Sequence, residues 1–261
     1  MKFHFLFLIA AGLMASTASS SFAQDSHGHG GDVEIGYDNV NNPMALIFEV
    51  GESTTEGIAL FESEFEPDTF DPNDMKTDEP GFTTNPNENL LIRQGDRIWL
   101  NVLDADAESD VGVGFVNFYN PQTDSLEASG RLSVDGTSSA AELLINGGQV
   151  ESGSTRQFID VGNAAQEAHD HVLFDLLDDA TALPGAYGIL IQLESNFAGN
   201  DSETPDLVSD KLWVVINHGL DEEVFENQAL RQFGIASAVP EPSSLALLML
   251  GGVPLLIRRK R

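Results

Sequence analysis

Short stretches in which apolar and polar residues alternate, separated by Gly, Pro, Asn and Asp, recur along most of this chain and restrict it to a β fold. The clearest are Ile98, Leu100 and Val102 set against Arg97, Trp99 and Asn101, and Ile189, Ile191 and Leu193 set against Leu190, Gln192 and Glu194. Successive side chains of an extended segment point to opposite faces, so each stretch offers one apolar face to a core. Further strands are expected at Val33–Tyr37, Met44–Val50, Val111–Tyr119, Arg131–Val134, Ala141–Ile145, Val172–Leu176 and Leu212–Asn217. This spacing reads as an all-β sandwich of the jelly-roll or immunoglobulin-like kind. Glu222–Phe233 departs from the pattern: Val224, Phe225, Leu230 and Phe233 fall at helical intervals behind a pair of acids, as in a short C-terminal closing helix.

Both ends carry targeting signals by their layout. Residues 1–23 run from Lys2 through the apolar FLFLIAAGLMA to STASSSFA, with small residues at Ser21 and Ala23, the arrangement of a secretory signal peptide cut before Gln24. The chain has no cysteine, so an exported domain over residues 24–238 must be held by core packing, with or without metal, and not by disulfides. Residues 239–261 read VPEPSSLALLMLGGVPLLIRRKR. The apolar part, Leu245–Ile257, rises only about 20 Å as a helix, short of a hydrocarbon core of about 30 Å. It suits transient membrane contact with its basic end inside.

Without those two ends, seven basic residues face 41 acidic ones, a formal charge near −34. Such a charge argues against nucleic-acid partners and for attraction of cations. Two acidic stretches stand out. Glu62–Glu79, ESEFEPDTFDPNDMKTDE, reads as a solvated loop, with an oxygen-ligand Ca²⁺ site as the alternative. Asp104–Asp110, DADAESD, lacks the glycine and distal glutamate of an EF-hand loop. Nucleophile elbows, thiols, HExxH helices and phosphate loops are all missing, so the sequence marks no catalytic residue and the chain is not expected to be an enzyme.

The histidines carry the chemistry. Five lie beyond the signal peptide: His169 and His171 as one HxH, His27 and His29 as another, and His218 alone. On a strand, residues two apart share a face about 6–7 Å apart, so two imidazoles at that spacing reach one ion. The expected site is a transition-metal centre on His169 and His171, completed by His27, His29 or His218. Imidazoles suit Zn, Cu and Ni, and zinc is the expected ion.

The C-terminal order of PEP motif, apolar segment and basic cluster resembles the PEP-CTERM sorting signal of Gram-negative bacteria. That resemblance implies processing by signal peptidase and an exosortase, and delivery to the cell surface, outer membrane or extracellular matrix. HGHGGDVEIGYDN, the PGF at Pro80–Phe82, HDHVLFDLLDDATALPGAY and SDKLWVVINHGL resemble exported PEP-CTERM proteins repressed by the zinc-uptake regulator. Related surface repeats follow the HxH with Asn-Trp, where this chain has Val172-Leu173. The resemblance implies zinc binding, scavenging or storage at the surface. The competing expectation is a structural exopolysaccharide-associated or adhesive protein whose acidic loops bind Ca²⁺.

Overall fold

The computed structural model describes residues 31–50, 52–71, 73–136, 142–177, 182–200 and 202–235. The expected signal peptide, His27 and His29, and the sorting signal lie outside the described residues. In chain order the strands are β1 (Val33–Tyr37), β2 (Leu46–Glu49), β3 (Glu52–Ser53), β4 (Ala59–Glu64), β5 (Glu66–Pro67), β6 (Met75–Thr77), β7 (Gly81–Thr84), β8 (Arg97–Leu103) and β9 (Asn117–Asn120). They continue with β10 (Ser125–Ala128), β11 (Arg131–Gly136), β12 (Leu143–Asn146), β13 (Gln149–Val150), β14 (Arg156–Val161), β15 (His169–Leu176), β16 (Gly185–Asn196) and β17 (Leu207–His218).

The strands form two mixed sheets, and the expected all-β sandwich is what the chain adopts. The first runs β13, β12, β11, β15, β7, β1, β2, with β6 and β5 attached beside the second half of β15. The second runs β10, β9, β16, β17, β4, β3, with β8 and β14 beside β16. Most neighbours are antiparallel, but β1 lies parallel to β7 and β4 parallel to β17. The main core fills the space between the sheets. Val33, Ile35 and Tyr37 of β1, Val172, Phe174 and Leu176 of β15, and Ile189, Ile191 and Leu193 of β16 all enter it. Because the side-chain period is two, these positions leave Glu34, His169, His171 and Leu173 on the outer face of the first sheet.

The second sheet is covered on both sides. Leu190 and Trp213, on the opposite face to the main core, are fully buried with Phe225, Leu230 and Phe233. These come from the C-terminal helical segment α2 (Glu222–Val224), a π-helical turn (Phe225–Ala229) and α3 (Leu230–Gln232). The expected closing helix is therefore present and explains why the middles of β16 and β17, Gly188–Ile191 and Leu212–Ile216, are apolar on both faces. A Cβ on Gly188 would come within 2.1 Å of the Phe233 ring, so β16 needs glycine where the aromatic ring lies against its backbone.

Some expected boundaries differ. Residues 111–116 are irregular, and in place of the strand expected over Val111–Tyr119 only Asn117–Asn120 pairs. The Glu62–Glu79 stretch is not a loop throughout: the end of β4, all of β5 and β6 run through it. Phe61 and Phe65 anchor this part in the main core while the carboxylates alternate outward, which hides the strand pattern in an acidic composition.

Candidate metal centre

Three strands bring the site together. β7 lies between β1 and β15, with Val33 opposite Phe82 on one side and His171 opposite Gly81 on the other. Asp32 immediately precedes Val33 and so falls beside Gly81. His169 pairs with Thr83 one pleat further along. Asp32 and His171 therefore project from strands that do not touch, on either side of a glycine.

Across that gap the side chains converge. His169 Nε2 is 3.2 Å from Asp32 Oδ2, and His171 Nε2 is 3.8 Å from Asp32 Oδ1. The two imidazole rings are 5.3 Å apart between centroids. One donor atom from each of the three residues lies within 4.8 Å of the others, and among the described residues this is the group of three or more such side chains with metal-site spacing. Two ligands held about 2.0–2.1 Å from one tetrahedral zinc are about 3.3 Å apart, so the observed separations need little movement to accept an ion.

The surroundings orient the His171 ring and hold the backbone that carries His169. His171 Nδ1 is 3.0 Å from the Asp78 carbonyl oxygen. A carbonyl only accepts, so Nδ1 carries the proton and Nε2 of the neutral ring presents its lone pair toward Asp32. A backbone acceptor on the far nitrogen is the usual support of a metal-binding imidazole. The His169 backbone N–H donates to Asp160 Oδ2 at 2.9 Å, and the Ala168 and Thr84 backbones are tied together by the Thr84 N–H to Ala168 carbonyl bond of 3.0 Å. The start of β15 is thus held to β7 and to the end of β14.

Gly81 makes room for the cluster. A Cβ there would stand 2.3 Å from Asp32 Oδ1 and 2.8 Å from His171 Cε1. The side chains of His169, His171 and Asp32 are 59%, 41% and 28% exposed, so an ion held here would remain open to solvent.

The histidines anticipated from sequence divide three ways. His169 and His171 do share a face and converge. His27 and His29 lie outside the described residues. His218 ends β17 in the other sheet, its ring edge-on to Phe65 and Tyr187 at 6.3 and 6.1 Å, and is not in the group. Asp32 was not anticipated as a ligand. Its signal in the sequence is a carboxylate at an outward-facing position just before the β1 pattern.

The acidic stretches have other uses. Lys76 forms ion pairs with Asp68 and, at 3.2 Å, with Asp74. The lysine, with the Phe70 and Asp71 backbone N–H groups, holds the Asp68 carboxyl below its ordinary range. Asp104 caps the short helix Ala105–Glu108, accepting from the Asp106 N–H at 3.2 Å. Neither stretch brings three carboxylates together as metal ligands among the described residues. Among the described residues, no helix is long and apolar enough to cross a membrane. No protein-family model, curated protein or solved structure matches the chain.

Proposed function

We propose that this chain is an exported zinc-binding protein of the cell surface or extracellular matrix, with Asp32, His169 and His171 as its metal ligands. The observation that carries this reading is the meeting of Asp32 and His171 over Gly81, where a glycine leaves space for two facing donors and a carbonyl holds the second ring in its ligating tautomer. A donor set of two neutral imidazoles and one carboxylate suits zinc, which takes nitrogen and oxygen ligands in a tetrahedral shell. The excess of acidic residues raises the local cation concentration around an exposed centre. Export rests on the layout of residues 1–23 and 239–261. A role in scavenging or storing zinc rests on the resemblance to zinc-responsive surface proteins.

Metal analysis and calorimetric titration of the purified, untagged protein test this reading. One zinc per chain is expected, and zinc at a hundredfold excess over Kd should stabilise the native state by about 2.7 kcal/mol. Calcium binding with no zinc binding would instead support the structural, matrix-associated alternative. Protons compete with the metal for the imidazole nitrogens, so zinc affinity should fall as the pH is lowered.

A further inference from the structure

We propose that Asp160 is a positioning residue of the metal centre: from the second sheet, its carboxylate holds the backbone of His169 and so sets where that imidazole stands against Asp32. The inference rests on the zinc reading above and adds a residue that acts on the centre without touching the ion.

The two imidazoles are supported differently. His171 has the Asp78 carbonyl on its Nδ1, whereas the polar contact of the His169 ring among the described residues is with Asp32 itself. The His169 ring is also the more exposed of the two. Its direction therefore depends on the backbone that carries it.

That backbone lies where a ladder stops. β11 and β7 flank β15 on opposite sides, β11 pairing over Val172–Leu176 and β7 over His169–His171. In the pairing with β7 the Thr84 N–H donates to the Ala168 carbonyl, so alternation turns the His169 N–H to the opposite edge, past the last residue that β11 reaches. Asp160 Oδ2 accepts it there at 2.9 Å.

A bulge delivers the carboxylate to that edge. Phe158 stands opposite Trp99 and Asp160 opposite Ile98, with Ile159 as the extra residue, its side chain in the main core. Such a bulge re-aims the side chain beside it. Asp160 Oδ1 in turn accepts from the Val161 N–H at 2.7 Å, so both carboxylate oxygens are engaged and the group is held in one orientation. A backbone N–H bonds more strongly to an ionised carboxylate than to the carbonyl of a neighbouring strand.

Calorimetric zinc titration of the parent, Asp160→Ala and Asp160→Asn tests this role. Asp160→Ala should keep the β fold and bind zinc several-fold more weakly. Asp160→Asn, whose amide oxygen still accepts the N–H, should recover most of the parent's affinity. Equal affinity in Asp160→Ala and the parent would overturn the proposal. So would an equal loss in both variants, which would mark a charge effect or a direct ligand. Coupling is reciprocal, so zinc must also tighten the bond that Asp160 makes, and hydrogen exchange of the His169 amide in the parent should slow on zinc loading. An exchange rate indifferent to zinc would overturn the proposal even where Asp160→Ala fails to fold. No zinc bound by the parent would instead remove the underlying zinc reading, and the role of Asp160 with it.

Discussion

Asp32 and His171 meet across a strand that carries neither of them. Their facing atoms are 3.8 Å apart, and the intervening Gly81 has no side chain to separate them. The contact depends on register, since β7 must present its glycine at the level where β1 begins and where β15 places His171. A slip of one residue on β1 or β15 would turn a candidate ligand into the core, and a slip of β7 would put a side chain in place of the glycine.

Gly81→Ala is accordingly expected to weaken zinc binding by about tenfold or more, equivalent to about 1.4 kcal/mol or more. The added methyl group forces Asp32 and His171 apart, while the two sheets keep their cores. Calorimetric titration of the variant, with circular dichroism to confirm the β fold, checks this. Equal affinity in parent and variant would mean that the ion is not held across β7.

The helical cover of the second sheet makes a separate prediction. Gly188→Ala places a methyl group 2.1 Å from Phe233 Cε1, in a layer that also buries Trp213. Overpacking of this kind costs about 1–3 kcal/mol. Chemical denaturation should show that loss with zinc affinity unchanged, because β16 lies in the sheet that does not carry the metal centre. A variant as stable as the parent would show that the helix yields without loss.

How far the sequence discloses the molecule can be judged from particular strands. β1 and β8 are legible to the residue, because their apolar positions alternate cleanly and turn residues bound them. β4 and β14 are not, since β4 carries apolar residues on both faces and then three polar ones, and β14 is a six-residue edge strand with Asp160 at a register shift. The HxH is legible because its spacing is local. Asp32 is not, because it reaches the histidines only through two strand pairings distant in sequence. His218 illustrates the converse: a lone histidine in the sequence looks available as a ligand, whereas in the fold it lies among aromatic rings.

Acid stability should report on Glu194. The residue is 5% exposed, and burial pushes its carboxyl pKa above the ordinary 4.5 against the opposing pull of Arg156, 2.6 Å away, and the hydrogen bond from Asn101. A raised folded-state pKa means that protonation favours the fold. The contribution is complete below 4.5 and is lost as pH rises through the raised value. Relative to Glu194→Gln, the parent should therefore gain stability as pH falls from neutral toward 4.5, read as a change in the difference between their melting temperatures. A difference constant over that range would show that Glu194 ionises as freely in the folded chain as in the unfolded one.

The most direct measurement on the metal centre is zinc titration of the His169→Ala/His171→Ala double variant beside the parent. Both imidazoles project from the solvent face of β15, while Val172, Phe174 and Leu176 of the same strand fill the core, so the fold should survive their removal. Loss of stoichiometric zinc binding with an unchanged circular dichroism spectrum is the expected result. Full zinc affinity in the folded double variant would contradict the assignment of the site.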